Sequence, residues 1–264
     1  MDVRERYGPW AVVAGASDGI GAAFAEELAR HGVNVVLVAR RQALLDEVAA
    51  RLDVETRVVV LDLSTDSAAT ELAAATSDLE VGLFIYNAGA DPRAMKVLDQ
   101  DLDDLRALIR RNCNTVFETS VHFGSRMVAR GRGGLVLVTS GGGWAGGSSV
   151  ATYNATKAFD IVLAEGLWAE WQPEGVDVLG LVLGATDTPA LRRLLDEYGG
   201  DLGELANPAA VAKEAIEHLA EGPTWSYGMP DPTGPSPFDG LPRRQAVELM
   251  SAGAAAMHAS GTAT

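Results

Sequence analysis

Tyr153 and Lys157 lie four residues apart in a segment with the pattern of a helix. Positions four apart share one face of a helix, so both side chains should point the same way. A free tyrosine has a pKa of about 10, and a neighbouring ammonium group favours its phenolate. Such a pair can exchange a proton with a substrate oxygen near neutral pH. The alternative is a surface tyrosine and lysine on an amphipathic helix.

A turn that contains three glycines follows the first predicted strand, Trp10 to Ala14. A helical pattern at 22–30 and a second strand at 33–39 complete a predicted βαβ unit. Glycines let the backbone approach a pyrophosphate, and the helix N-terminus supplies amides and a positive dipole. The spacing differs from the commoner Gly-x-Gly-x-x-Gly, and a plain strand-to-helix turn is the alternative, but the βαβ context favours nucleotide binding. The glycines are Gly15, Gly19 and Gly21.

Arg40 and Arg41 follow the second strand at the position that selects the cofactor. An acidic residue there would bind a ribose 2′-hydroxyl, whereas an arginine accommodates a 2′-phosphate. A solvated helix start is the alternative. Two adjacent arginines in so acidic a chain favour NADP(H) over NAD(H).

Strand and helix patterns alternate along the chain, which predicts an α/β fold. We expect a single Rossmann-type, doubly wound parallel sheet with helices on both faces and an irregular or helical C-terminal extension. In such sheets ligands bind beyond the carboxyl ends of the strands. Strands are expected at 57–61, 81–86, 135–139 and 176–183, and helices at 41–52, 66–76, 102–125 (one long or broken helix) and 153–171. The residues expected to meet at this rim of the sheet are Gly15, Arg40, Asp62, Asn87, Ser140 and Gly184.

Composition restricts the possible partners and compartment. The 264 residues carry 21 basic and 36 acidic side chains, a net charge of −15, which disfavours nucleic acid and anionic membranes. Cys113 is the single cysteine, so no intrachain disulfide can form. Residues 1–6 lack the apolar core of a signal peptide, and no apolar run is long enough to span a bilayer. We expect a cytoplasmic protein without a metal site.

The ordered set of motifs resembles the short-chain dehydrogenase/reductase family, from the start of the chain to about residue 220. No single motif would be sufficient, but the set is specific. The motifs are Gly15-Ala16-Ser17-Asp18-Gly19-Ile20-Gly21, Asp62, Asn87-Ala88-Gly89, Asn112, Ser140 and Tyr153-x-x-x-Lys157.

This resemblance implies four catalytic roles. Tyr153 would donate the proton in ketone reduction and accept it in alcohol oxidation. Lys157 would bind the nicotinamide ribose and favour the tyrosinate, and Ser140 would orient the substrate oxygen. Asn112 would hold a water that links Lys157 to solvent. The alternatives are that Ser140 only ends a strand and that Asn112 is a helix-interior amide, with Asn114 close by.

The resemblance also implies a cofactor site. Asp62 would accept from the adenine amino group, or it would only cap the next helix. Where the family usually has Pro-Gly, this chain has Leu183-Gly184, but contacts from the following threonines to the nicotinamide remain plausible. The expected cofactor residues are Gly15, Ser17, Asp18, Gly19, Ile20, Gly21, Arg40, Arg41, Asp62, Leu63, Asn87, Ala88, Gly89, Tyr153, Lys157, Gly184, Thr186 and Thr188.

Three features resemble an NADP-dependent 7β-hydroxysteroid dehydrogenase subgroup: the opening Arg4 to Trp10, the arginine pair and Leu183-Gly184. The resemblance suggests a bulky alicyclic ketone or alcohol, or another hydrophobic carbonyl compound. Alternatives are a 3-oxoacyl-thioester reductase and a non-catalytic NADP-binding sensor or scaffold. The reductase would need a basic docking patch, which is not evident in the sequence, although Arg126, Arg130 and Arg132 could form a small one.

The substrate side is expected in 90–98, 141–150 and 190–205. Ser140, Gly142, Trp144 and Tyr153 are the candidate substrate residues, and Trp144 either floors the pocket or packs under its loop. Residues 1–222 should form the NADP-binding catalytic domain, with a substrate lid at about 189–206. Residues 223–264 should form an extension that packs on the same or a neighbouring subunit. The family tends to form homodimers or homotetramers.

Overall fold

A computed structural model describes residues 2–89, 95–198 and 202–256. Within these ranges, seven parallel strands form one sheet in the order β3-β2-β1-β4-β5-β6-β7. The order reverses direction between β1 and β4, which creates the crevice where doubly wound folds bind ligands. The strands are β1 (Trp10–Ala14), β2 (Asn34–Ala39), β3 (Thr56–Val60), β4 (Val81–Tyr86), β5 (Gly133–Ser140), β6 (Val176–Leu183) and β7 (Thr224–Ser226).

Helices cover both faces of the sheet, which confirms the predicted architecture. One hydrophobic cluster joins the sheet to α2, α3 and α9, and the other joins it to α4, α6 and α7. The α-helices are α1 (Val3–Tyr7), α2 (Gly19–Arg30), α3 (Gln42–Ala49), α4 (Ala68–Ala75), α5 (Leu102–Ile109), α6 (Thr115–Arg130), α7 (Ala151–Trp171), α8 (Pro189–Tyr198), α9 (Pro208–Glu217) and α10 (Arg243–Ala256).

Local sequence explains these elements. Every residue of β1, β4 and β6 is buried, as expected for strands with helices on both sides and near-continuous apolar runs. Asn207 caps α9 by accepting from Ala209 N at 2.8 Å, and Pro208 occupies the first turn. None of the helices in the described ranges combines the length and apolarity that a bilayer crossing needs.

Of the two forms expected at 102–125, one long or broken helix, the structure shows the broken one: α5 and α6 are joined by a π-helical turn, Arg110–Asn114. The segment expected as an irregular or helical extension, 223–264, also contributes a strand to the sheet, β7, which pairs with β6 from Gly180↔Thr224 to Val182↔Ser226. A three-residue strand among prolines and glycines has too short an apolar run to be recognised; its pairing partner determines it.

An ionic cluster around one buried carboxylate lies at the amino edge of the sheet, where β6 begins. Arg6 donates to both carboxylate oxygens of Asp177, at 2.5 and 2.7 Å, and the Tyr7 hydroxyl donates to the same group at 2.7 Å. Burial, reinforced by Asp177, raises the pKa of Tyr7. The cluster fastens α1 to the sheet, at the edge opposite the carboxyl ends of the strands.

Candidate active site

The glycine turn packs against the end of β4. Gly15 has φ of +84°, and a Cβ there would lie 2.9 Å from Ala88 N. A Cβ at Gly21 would lie 2.0 Å from Gly15 O, so both positions have room only for hydrogen. Asn87 Nδ2 donates to Gly15 O at 3.1 Å and fastens the turn. Asn87 and Ala88 therefore support the turn.

The start of α2 lies beside the segment that follows β6. Gly19 has φ of +55°, and a Cβ there would lie 3.0 Å from Thr188 Cγ2. The Thr186 hydroxyl donates to Gly184 O at 3.3 Å, and the Thr188 hydroxyl accepts from Leu191 N at 3.2 Å. Expected cofactor residues from the two halves of the sheet thus meet at one edge. The side chain of Ile20, the residue after Gly19, packs against the hydrophobic core.

The two arginines after β2 both point along this edge. Arg41 Nη2 donates to Ser17 Oγ at 3.0 Å and to Asp18 Oδ2 at 2.6 Å. Arg40 Nη1 lies 3.8 Å from Asp62 Oδ2, with 69% of its side chain exposed. The Asp18 side chain makes no capping bond to α2, so it leaves the first amides of α2 for a ligand. Helix N-termini bind phosphates, and the two guanidinium groups add positive charge at this one.

Asp62 and Leu63 follow β3. Asp62 Oδ1 accepts from Ser64 N at 2.9 Å and from Ser64 Oγ at 2.6 Å, so it shapes its own turn. Burial opposes ionisation of Asp62, but these bonds and the charges of Arg40 and Arg111 lower its pKa. The Leu63 side chain is buried in the core.

Ser140 and Tyr153 converge on one point. A Cβ at Gly142 would lie 3.4 Å from Ser140 Oγ and 3.5 Å from Tyr153 Cε1. The same position would lie 2.9 Å from Asn154 Oδ1, so only a glycine fits between the end of β5 and α7. Ser140 Oγ accepts from Gly142 N at 3.1 Å. Its own hydroxyl hydrogen therefore stays available for a ligand oxygen.

Lys157 projects under the end of β4. A Cβ at Gly89 would lie 2.8 Å from Lys157 Nζ, so the ammonium occupies the space that this glycine leaves. Lys157 Nζ donates to Val138 O at 2.9 Å and to Asp160 Oδ2 at 3.0 Å. Burial opposes the charge of Lys157, but Asp160 and Tyr153 outweigh that effect and raise its pKa.

Asn112 lies in the π-helical turn and is fully buried. Asn112 Nδ2 donates to Gly89 O at 3.1 Å and to Thr156 Oγ1 at 3.0 Å. Its Oδ1 accepts from Arg111 Nε at 3.1 Å. The amide therefore joins Gly89, the glycine next to the Lys157 ammonium, to α7, whereas Asn114 is exposed.

The loop after β5 is covered by the C-terminal segment. The Trp144 ring lies against Gly141 and makes an edge contact with Phe238, with 6.5 Å between ring centroids. Arg243 donates to Trp144 O at 2.9 Å, and Ser148 N donates to Ser251 Oγ at 3.0 Å. Trp144 thus packs against its own loop and against the segment that leads into α10. Residues 90–94, 199–201 and 257–264, part of the expected substrate side, lid and tail, lie outside the described residues.

The arrangement brings together a phenol, a serine hydroxyl and a buried ammonium beside a glycine cradle. These groups fit a nicotinamide dinucleotide: the glycine turn at residues 15–21 would hold its phosphates, and the cofactor would supply hydride chemistry beside Ser140 and Tyr153. Among the described residues, no three His, Cys, Asp or Glu side chains are placed to hold one metal ion. The sequence reasoning missed Asp160, although an acidic residue three positions after Lys157 in a buried helix is a visible signal.

Comparison with known proteins agrees with this geometry. The family model for short chain dehydrogenase matches residues 9–199. The chain is 34% identical over 230 residues to the 7β-hydroxysteroid dehydrogenase of Mediterraneibacter gnavus, covering 84% of this chain and 86% of that protein. It is 32% identical over 228 residues to the very-long-chain 3-oxoacyl-CoA reductase of Meyerozyma guilliermondii, covering 81% and 65%.

A solved structure of similar fold is the short-chain dehydrogenase from Sphingobium yanoikuyae in complex with NADPH. It superimposes with a TM-score of 0.77 and 28% identity, over 85% of this chain and 89% of that chain. Sequence and fold therefore agree over most of the molecule. The chain belongs to the short-chain dehydrogenase/reductase family of oxidoreductases.

Proposed function

We propose that this protein is an NADP(H)-dependent oxidoreductase that interconverts a ketone and a secondary alcohol. The observation that carries the proposal is the approach of Ser140 Oγ and the Tyr153 ring to the position of a Gly142 Cβ, together with a buried Lys157 ammonium one helical turn after Tyr153. The cofactor, when bound, supplies the hydride. The protein supplies placement of the carbonyl and movement of the proton.

Each side chain has a distinct task in this proposal. Ser140 donates to the substrate oxygen and orients it, and Tyr153 exchanges the proton with that oxygen. Lys157 contributes a fixed positive charge that favours the phenolate and an N–H for the cofactor ribose. Hydrogen-bond donors already in place lower the barrier because the oxygen gains negative charge during reduction. Asn112, fixed beneath Lys157, would hold the water that connects it to solvent.

Tyr153→Phe tests this assignment. We expect turnover to fall by at least about 100-fold, since general acid–base catalysis contributes roughly that much. NADPH affinity should stay close to wild type because the ring remains. An inactive wild-type protein that still binds NADPH tightly would instead favour the sensor or scaffold. A fully active Tyr153→Phe would refute the assigned role.

The preference for NADPH rests on the arginines after β2. Arg41 contacts Ser17 and Asp18 at the start of α2, and Arg40 projects beside Asp62. A 2′-phosphate between them would form charge-assisted hydrogen bonds with both guanidinium groups. The NADPH-bound relative supports this reading.

Arg41→Ala tests the cofactor preference. We expect the KM for NADPH to rise by about tenfold or more, since charge-assisted hydrogen bonds are worth about 1.5–3 kcal/mol. The KM for NADH should change little. Arg51→Ala is the matched control, because Arg51 pairs with Glu26 away from the cradle. Equal losses for both cofactors would contradict the proposal.

The proposed substrate is a bulky alicyclic, steroid-like ketone or another hydrophobic carbonyl compound. The 7β-hydroxysteroid dehydrogenase relative supports this class. The 3-oxoacyl-CoA reductase relative favours an acyl thioester instead. A carrier-protein substrate would require the basic patch, but its arginines are used internally. Arg126 donates to Leu79 O, Arg130 to Val81 O, and Arg132 to Glu5 O.

A panel of steroid, cyclic, aromatic and acyl-thioester ketones separates these substrates. We expect NADPH oxidation to be fastest with a bulky cyclic ketone. Preference for the acyl thioesters would identify the alternative function.

We also propose a cytoplasmic homodimer or homotetramer. Helices α6 and α7 expose an apolar groove whose residues include Phe117, Val121, Phe159 and Val162, and Val162 is 66% exposed. Val162→Glu should reduce the mass measured by light scattering if this groove is the interface.

The chain would divide into two parts. Residues 1–222 would form the catalytic domain, with its lid at 189–206. Residues 223–264 would form the extension that adds β7 and covers the substrate loop.

A further inference from the structure

Asp160 is a buried carboxylate next to the ammonium group of the proposed site. It follows Lys157 by three residues on α7, and its Oδ2 lies 3.0 Å from Lys157 Nζ. Only 3% of the Asp160 side chain and 6% of the Lys157 side chain are exposed. Such a pair is costly to bury, so its position beside a reaction centre requires an explanation.

The geometry of the ammonium group gives one. An ammonium has three N–H donors and no acceptor. Two of them are used inward, by Asp160 Oδ2 and Val138 O. Gly89 limits the ammonium from the other side, because a Cβ there would lie 2.8 Å from Nζ. Among the described residues the third N–H has no acceptor, so it is left for the cleft beside Ser140 and Tyr153, where the cofactor ribose or a water held by Asn112 would accept it.

We propose that Asp160 is a positioning residue for the proposed reaction, on which this inference rests: its buried carboxylate holds Lys157 Nζ against Val138 O, keeps the ammonium charged, and directs the remaining N–H into the cleft. In this role Asp160 would contact neither substrate nor cofactor. It acts through Lys157, which in turn interacts with Tyr153.

The charged and titratable groups around the pair are consistent with this role. Asp160 faces Lys157 on α7, Tyr86 on β4 and Cys113 in the π-helical turn, and Arg111 faces Lys157. Burial, with a contribution from Asp160, raises the pKa of Cys113 to about 11. Burial likewise raises the pKa of Asp160, and Lys157 partly offsets this. Lys157 is therefore the favourable electrostatic partner of this carboxylate, and the pair is one unit.

One oxygen of the carboxylate is unsatisfied. Asp160 Oδ1 is buried, and no described residue donates a hydrogen bond to it. An uncompensated buried acceptor destabilises the folded state, and such groups in native proteins call for an explanation such as a functional role. We attribute the burial of this carboxylate to its hydrogen bond with Lys157 Nζ.

Asp160→Asn separates charge from shape. The amide retains an oxygen that can accept from Lys157 Nζ, but the negative charge is lost. Desolvation then disfavours the ammonium, and the phenolate of Tyr153 loses the cation that stabilises it. We expect the midpoint of the pH–rate profile for alcohol oxidation to move to higher pH by about one unit, and turnover at neutral pH to fall about tenfold. The KM for the alcohol should change little.

The lysines provide a second measurement that needs no activity. The chain contains three, Lys96, Lys157 and Lys213, so NMR of ¹³Cε-labelled lysine can follow Lys157 directly. In Asp160→Asn the titration midpoint of Lys157 should fall by about 3–5 units, towards neutral pH, as expected for a buried lysine without a carboxylate partner. The signals of Lys96 and Lys213 serve as internal references. If wild type is inactive on every ketone and alcohol, the proposed function fails, while this titration still tests the pair.

Two further variants complete the experiment. Asp160→Glu keeps the charge and should restore both midpoints to near wild type. Asp177→Asn removes a second buried carboxylate, at the amino edge of the sheet, and should lower the melting temperature without moving either midpoint. If Asp160→Asn does not fold, Asp160→Ser is measured in its place. Unchanged midpoints, or a pH–rate profile shifted to lower pH, would overturn the positioning role.

Discussion

Two buried carboxylates at opposite edges of the sheet do different work. Asp177, at the amino edge, accepts from Arg6 Nε, Arg6 Nη2 and the Tyr7 hydroxyl, so both oxygens are satisfied. Asp160, at the carboxyl edge, accepts from Lys157 through one oxygen and leaves the other without a donor among the described residues. The comparison teaches that the amino edge is optimised for stability, and that the carboxyl edge accepts an unfavourable group in order to place an ammonium.

The surroundings of the two cations show the same difference. The Arg6 side chain is 40% exposed, and its fork matches the carboxylate at two points. The Lys157 side chain is 6% exposed, and its ammonium contacts the carboxylate of Asp160 through one oxygen only. A lysine responds to its environment far more than an arginine does. The edge that should do proton chemistry therefore carries the adjustable cation.

Lys157→Met should give the largest difference in effect between the two edges of the sheet. The variant removes the ammonium and leaves Asp160 buried without a partner, so we expect turnover to fall by about 1,000-fold and the melting temperature to fall as well. Arg6→Met at the other edge should lower the melting temperature alone. Steady-state kinetics and thermal unfolding of both variants check this. Normal turnover in Lys157→Met would contradict the assigned role.

Gly89→Ala perturbs the carboxyl edge without changing a charge. The new Cβ would lie 2.8 Å from Lys157 Nζ and 3.4 Å from its Cε, so the ammonium must move away from Asp160 and Val138. We expect turnover to fall by about 10- to 100-fold, because small misplacements of catalytic groups are costly. Gly253→Ala, where no atom lies within 4 Å of the new Cβ, is the matched control and should retain full activity.

Asp177→Asn perturbs the amino edge alone. The free energy of unfolding should fall by about 2 kcal/mol, less than for a fully buried pair because Arg6 is partly exposed. The kcat of the folded protein should not change, because the cluster lies at the far end of β6. Chemical denaturation combined with kinetics tests both statements. A reduced kcat at full folding would show that the edges are coupled.

The smallest effect is expected at a surface pair, Arg57 and Asp78. The Arg57 guanidinium, at 2.6 Å, lowers the pKa of Asp78 to about 2. A carboxyl whose pKa is lowered on folding stabilises the protein above its unfolded-state value and loses that contribution as pH falls towards about 2. In Asp78→Asn, the pH dependence of stability below about pH 4 should therefore be slightly shallower. Acid titrations of unfolding check this, and an unchanged curve would mean that solvent screens the pair completely.

The periodicity of the apolar residues and the composition of the chain were sufficient to predict most of the fold. The buried strands β1, β4 and β6 are continuous apolar runs, and the order of motifs predicted which residues share the carboxyl edge. The π-helical turn at Arg110–Asn114 could not be predicted, because no residue type marks a single wide turn within a helix. The strand β7 is too short to have a pattern and depends on its pairing with β6.

The candidate site was predicted in part for the same reasons. Ser140, Tyr153 and Lys157 follow from spacing and strand ends. The contact of Arg41 with Ser17 and Asp18 depends on how the loop after β2 folds back, which is tertiary information. The packing of Trp144 against Phe238 joins residues 94 positions apart, beyond any local signal.

NADPH oxidation by the purified wild-type protein and Tyr153→Phe, side by side with a bulky cyclic ketone, tests the central claim most directly. The account predicts rapid loss of NADPH absorbance with wild type, and almost none with the variant, although both bind NADPH equally well. Equal rates for the two proteins would contradict it.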